Sequence, residues 1–134
     1  MPYNLEFDNL HIYDPSKTGI SVPVTLKLSQ TEIEVEAKLD TGASFSIFAR
    51  ALGEDLGLDI EKGQSTQIAT VTGSFIAYGH NITLSVFDFS FDSMVYFAAS
   101  DSFSRNVLGR QGFLNHFRLA VIDYEGKLFL SPYE

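Results

Sequence analysis

The sequence predicts one mainly β domain, and three observations carry that prediction. Apolar and polar residues alternate over several short stretches, short polar or glycine-containing links separate them, and 134 residues suit a single domain. With 45% hydrophobic and 19% charged residues the composition is that of a globular chain, not of a disordered one. No Pro/Ser-rich linker, tandem repeat or low-complexity tract interrupts it.

Taken in order, residues 1–21 form an arm in which Leu5, Phe7, Leu10, Ile12 and Tyr13 are apolar enough to dock as a strand or to cover a cleft. Val22, Val24, Leu26 and Leu28 then alternate with Pro23, Thr25 and Lys27. After Ser29-Gln30-Thr31 the alternation resumes as Ile33, Val35, Ala37 and Leu39 against Glu32, Glu34, Glu36 and Lys38. Period two on both sides of a short polar link reads as a hairpin with one buried face, the three glutamates being its wet side. Phe48 to Leu58 reads as a short helix stopped near Gly57. A second hairpin is expected between 66–71 and 74–78, turning at Thr72-Gly73, with polar residues on both faces as suits a ribbon over a cleft. Ile82, Leu84 and Val86 alternate, but the apolar parity then moves to Phe87, Phe89 and Phe91, which predicts a bulge or bend. Asp92-Ser93 should turn the chain into a strand over Met94 to Ala99, followed by a polar loop from Ser100 to Arg105. Arg110 to Phe117 reads as a short helix. Leu119–Ile122 and Lys127–Leu130, joined around Glu125-Gly126, read as a third hairpin.

Composition excludes several functions. Nine Lys and Arg against seventeen Asp and Glu give a net charge of −8, which repels phosphate backbones and anionic lipid, so neither nucleic acid nor a membrane is an expected partner. The absence of Cys excludes a disulfide framework, a thiol nucleophile and a thiolate metal site. His11, His80 and His116 lack any metal-ligand spacing and read as surface or core histidines, so no metal or cofactor is expected. The first residues lack the basic flank and apolar stretch of a signal peptide, and the run Met94 to Ala99 is too short to cross a bilayer. A soluble, cytoplasmic protein is the expectation.

The chemistry concentrates on Asp40-Thr41-Gly42-Ala43, at the end of an apolar strand. Alone, Asp-Thr-Gly is a common turn sequence. Here it is followed by Asn106-Val107-Leu108-Gly109-Arg110, two apolar residues and a glycine before a short helical segment, with the turn at Thr72-Gly73 between the two. In motif, order and spacing the stretch from Val22 to the C-terminus resembles the aspartic proteases, and the retroviral-type retropepsins most closely. The resemblance implies a small closed β-barrel with one or two short helices, residues 22–134 forming the protease core behind the 1–21 arm. It implies Asp40 as the catalytic residue, with Thr41, Gly42 and Ala43 supporting its loop. Val71, Thr72, Gly73 and Ser74 would form a flap over an extended peptide substrate. Val107, Leu108, Gly109 and Arg110 would pack against the catalytic loop.

The chemistry can also be argued from the carboxylate. Amide hydrolysis needs a base to activate water and an acid to protonate the leaving amine. Two carboxylates about 3 Å apart share one proton and supply both roles. This chain carries one Asp-Thr-Gly, whereas pepsin-like enzymes carry two such loops, so a C2 homodimer with the site on its axis is expected. By resemblance Lys127–Pro132 would be the interface strand; closing the monomer's own sheet is its other reading. Three features depart from the family: Ser44 stands where retroviral enzymes usually place an Asp that pairs with the Arg after the second glycine, the flap has only Gly73 near its tip, and the N-terminal arm is long. They leave a second reading, a retropepsin-like dimerisation or peptide-binding module without catalysis.

Overall fold

The alternation of Val22–Leu28 and Ile33–Leu39 builds the hairpin it predicts. In the computed structural model, which describes residues 1–133, β1 (Asn9–Ile12) precedes this hairpin of β2 (Ile20–Leu28) and β3 (Thr31–Leu39). β2 and β3 pair in strict antiparallel register, Val24 opposite Val35 and Thr25 opposite Glu34, so Val22, Val24, Leu26 and Ala37 are buried while the three glutamates face water. β4 (Ile47–Phe48), α1 (Arg50–Asp55), β5 (Gln64–Thr70), β6 (Gly73–Val86), β7 (Phe89–Ala98), β8 (Val107–Leu108), β9 (Phe117–Ile122) and β10 (Lys127–Pro132) follow.

Seven strands form one sheet in the order β2-β3-β8-β4-β7-β6-β5, and a further pairing of β2 with β6 through Thr25–Lys27 makes its hydrogen bonding run round in a ring. Pro23, with no N–H to give, lies outside that second pairing, where the strand has a neighbour on one side only. Phe48, Leu84, Val86, Val95, Phe97, Leu108 and Phe113 fill the inside of the ring together with the β2 side chains. Outside it, β1, β10 and β9 make a three-stranded antiparallel sheet with β10 in the centre, joined to the same core by Leu128 and Leu130. The arm therefore docks as a strand, one of its two anticipated roles.

Several sequence expectations need correction. The helix is limited to Arg50–Asp55, because Ile47 and Phe48 are taken by parallel pairing with Tyr96 and Phe97 of β7. It ends where Gly57 adopts φ +91°, a conformation that a side chain disfavours. The parity shift at Phe87 is not a bulge: Phe87 and Asp88 are a two-residue hairpin turn, with Phe87 at φ 53° and Val86 paired to Phe89. Asp92 and Ser93 consequently lie within β7, opposite Thr83 and Ile82. The β5–β6 turn is Val71-Thr72, one residue before the expected place, since Gly73 already pairs with Thr70. Arg110–Phe117 forms only a 3-10 turn at Leu114–His116, because Gly112 at φ +95° breaks the helical path.

His116 packs on Phe91 with ring centroids 4.3 Å apart, and burial pushes its imidazole below the ordinary histidine range. The unfolded chain therefore takes up this proton first. Its stabilising contribution is complete above the unfolded value of about 6.5 and declines as the pH falls below it. His116→Phe should flatten that part of the stability–pH curve, read from urea midpoints between neutral and mildly acid pH.

Candidate active site

β8 lies between β3 and β4, parallel to β3 and antiparallel to β4. The chain leaving β3 must therefore cross over the end of β8 to reach β4, and Asp40-Thr41-Gly42 forms that crossing. The Asp40 N–H donates to the Leu108 carbonyl at 2.9 Å, fixing where the loop departs. Inside the loop the Gly42 N–H donates to Asp40 Oδ1 at 2.9 Å and the Ala43 N–H to the Asp40 carbonyl at 3.1 Å. One carboxylate oxygen is thus held from within the loop. Asp40, Thr41 and Gly42 are all exposed.

Beyond Ala43 the two motifs are joined by hydrogen bonds. The Arg110 N–H donates to the Ala43 carbonyl at 2.8 Å, the Gln111 N–H to the Ser44 carbonyl at 2.9 Å, and the Ser46 N–H to the Gln111 carbonyl at 3.1 Å. Gly109 lies so close that a Cβ there would fall 2.2 Å from the Phe45 carbonyl oxygen and 2.8 Å from that of Ala43. Only glycine fits. Val107 and Leu108 are β8 itself, Leu108 fully buried. The structure thus brings Asp40–Ala43 and Val107–Arg110 together, the contact expected from sequence.

Ser46 was not singled out by the sequence reading, yet it is central here. Its fully buried hydroxyl donates to the Gln111 carbonyl at 3.0 Å and accepts the Gly109 N–H at 3.0 Å. The signal available was a lone serine between Phe45 and Ile47 and Phe48, since a hydroxyl in an apolar run needs partners once buried. Ser46→Ala would strand the Gly109 N–H and should cost about 1–3 kcal/mol, measured by urea unfolding. A change within error would deny the hydroxyl this role.

Of the expected flap residues, Val71 and Thr72 make the tip of the β5–β6 hairpin and Gly73 and Ser74 begin its return strand. The tip is held by the Thr70 hydroxyl donating to the Gly73 carbonyl at 3.0 Å and by Gln67 Nε2 donating to Ser74 Oγ at 2.9 Å. Nearer its base, Ile68 and Ala77 join Ile47 in a small apolar cluster with Phe45, Phe75, Tyr96 and Phe103. Phe45 meets Tyr96 at 5.0 Å between ring centroids, and Phe75 stacks on Phe103 at 4.8 Å. The hairpin is therefore packed against the stretch that leaves the Asp40 loop. This aromatic group also escaped the sequence reading, because its members come from four separate segments.

Arg110 is exposed and lines two recesses, one of about 260 Å³ with Ser44, Gln111 and Asn115, the other of about 290 Å³ with Thr41, Leu114 and Asn115. A larger recess, about 780 Å³, lies elsewhere, between Lys27–Glu32 and Asn81–Asp92, and is lined mostly by polar side chains. Among the described residues no group of three His, Asp or Glu is placed to hold a metal ion. The loop thus offers one oriented, water-facing carboxylate, able to act as a base or acid but lacking a second beside it in the tripeptide.

Residues 22–111 match the family model described as aspartyl protease, a span that contains both the Asp40 loop and the β8 segment. The chain belongs to the aspartyl protease family. Solved structures agree on the fold: this aspartyl protease homologue is similar to the EIAV protease complexed with the inhibitor HBY-793, with a TM-score of 0.58 and 20% identity over 74% of this chain and 88% of that one. No curated protein sequence matches the chain. The architecture is therefore that of the retroviral proteases, as the paired motifs led one to expect, and β1, β9 and β10 lie outside the span that the family model covers.

Proposed function

We propose that this family member is an aspartic endopeptidase that works as a homodimer, with Asp40 of each copy forming the catalytic pair. The observation that carries this reading is the exposure of a single Asp-Thr-Gly on a loop clamped to β8, which leaves the carboxylate open to a second copy. In the proposed reaction the Asp40 pair holds one proton. The ionised carboxylate takes a proton from water as it attacks the peptide carbonyl, and the protonated one donates to the leaving amine. Thr41 and Gly42 hold the loop, and the β5–β6 hairpin around Val71–Ser74 closes over an extended peptide that pairs through its backbone. No metal and no covalent intermediate is required.

The test is hydrolysis of an unfolded protein or a peptide library between about pH 4 and 7. A hydroxyl donor next to the pair would favour its ionised form, and Ala43 supplies none. The expected optimum is roughly pH 4.5–6.5, and Ala43→Ser should gain activity on the acid side of it. An unmodified enzyme most active near about pH 2 would contradict this account. A second reading, a peptide-binding or dimerisation module without turnover, is favoured by Ser44, which leaves no carboxylate at that position for Arg110. Peptide binding without cleavage across the same pH range would select it.

A further inference from the structure

Three of the chain's arginines are engaged by other side chains. Arg50 pairs with Glu54 and Glu61, Arg105 lies over the Phe103 ring at 6.0 Å, and Arg118 lies over the Phe7 ring at 5.6 Å. The remaining one, Arg110, is exposed, and its guanidinium has no ion-pair or hydrogen-bond partner among the described residues. Its backbone is nevertheless fixed. The Arg110 N–H donates to the Ala43 carbonyl at 2.8 Å, and the Arg110 carbonyl accepts the Asn115 N–H at 2.9 Å. Ala43 is itself turned back onto Asp40, its N–H donating to the Asp40 carbonyl at 3.1 Å. Two backbone hydrogen bonds thus connect a free guanidinium to Asp40. We propose that Arg110 binds an acidic side chain, Asp or Glu, of the peptide substrate and so sets a preference for acidic peptides. The proposal rests on the endopeptidase reading and narrows its substrate class.

The surroundings suit a carboxylate. Arg110 stands between two recesses, one completed by Ser44, Gln111 and Asn115, the other by Thr41, Leu114 and Asn115. Neither lining contains an Asp or Glu, so nothing within them neutralises the guanidinium. The hydroxyls of Ser44 and Thr41 and the amides of Gln111 and Asn115 are neutral groups that can donate to an anion. A guanidinium is also shaped for this ligand, since its planar fork meets both oxygens of a carboxylate. The chain's net charge of −8 opposes an acidic peptide only at long range, because a Debye length of about 8 Å at physiological salt screens it. Thr41 adjoins Asp40, so the second recess opens beside the path of a peptide crossing that carboxylate. A homodimer carries Arg110 twice about its axis, so the preference should occur on both sides of the scissile bond.

The test uses peptide libraries, acetylated and amidated at their ends, in which one position is fixed as Glu, Gln or Lys and all other acids are omitted. At about pH 6 the Glu side chain is ionised and is then the only carboxylate in the peptide. Wild type should favour Glu over Gln about tenfold in kcat/KM at one position on each side, the difference lying in KM. Arg110→Gln should erase that ratio, Arg110→Lys should keep part of it, and Arg110→Glu should turn the preference toward Lys. A ratio taken within one preparation does not depend on how much of a variant is folded or paired. Equal cleavage of the Glu and Gln libraries at every position, or a Glu preference that survives Arg110→Gln, overturns the subsite and leaves the endopeptidase reading intact. Hydrolysis of no library overturns the endopeptidase reading instead. Fluorescence anisotropy with the same peptides on Asp40→Asn and Asp40→Asn/Arg110→Gln then decides the subsite without turnover. Tighter binding of Glu than of Gln that disappears in the double variant upholds it, and equal binding overturns it.

Discussion

Asp40→Asn is expected to abolish peptide hydrolysis, with turnover falling by roughly 10² to 10⁴-fold, the span of a lost general acid–base group. The amide is nearly isosteric with the carboxylate, so the loop should keep its shape. Asn at this position can still accept the Gly42 N–H that now meets Asp40 Oδ1, and the clamp through Ser46, Gly109 and Gln111 does not involve the side chain. Loss of activity with unchanged circular dichroism, sedimentation and urea midpoint therefore isolates chemistry from folding. Hydrolysis by the variant at the wild-type rate would remove Asp40 from the mechanism and the endopeptidase reading with it.

Mixing that inactive chain with wild type should produce an effect of similar clarity. If the two kinds of chain co-refold and pair at random with the mutant in about ninefold excess, wild-type homodimers are about 1% of all dimers. Most wild-type chains then sit opposite an Asn, and activity per wild-type chain should drop to about a tenth. An inert protein added in the same excess should change nothing. A fluorogenic peptide followed through a co-refolding titration gives the curve. Activity strictly proportional to the wild-type chain would mean that each chain carries a complete site, and a second acid such as Asp88, Asp92 or Asp101 would then have to supply it.

What could be read from the sequence follows a physical pattern. The β2–β3 hairpin was legible because one wet and one buried face impose alternation along two nine-residue strands on either side of a short turn. The meeting of the Asp40 loop with Gly109 was anticipated only through the resemblance to the retropepsins, and Gly109 has a steric cause visible once the Phe45 carbonyl is in place. β6 and β7 were misread because Phe87 sits in a left-handed turn that usually favours Gly or Asn, so the turn carried no turn signal. The helix expected after Arg110 failed because its apolar spacing suited a helix while Gly112 broke the path. The central place of β10 was illegible for another reason. Its partners come from opposite ends of the chain, and local pattern says nothing about which of two edges a distant strand will occupy.

That placement bears on how the molecule is made. Asp8 and Ser131 are joined by a hydrogen bond although 123 positions separate them, and the whole of β1 is matched to β10 beside them. A ribosome adding about 5–20 residues per second exposes β1 on the order of ten seconds before β10 exists to receive it. Through that interval the ring of β2 to β8 can assemble from nearer contacts, while Leu10 and Ile12 wait on an unpaired segment. Docking of β1 is thus a late folding event with a large loop to close, slow relative to the hairpins around it. A chain truncated near Glu125 would keep every strand of the ring yet leave both β1 and β9 without the β10 partner that places them.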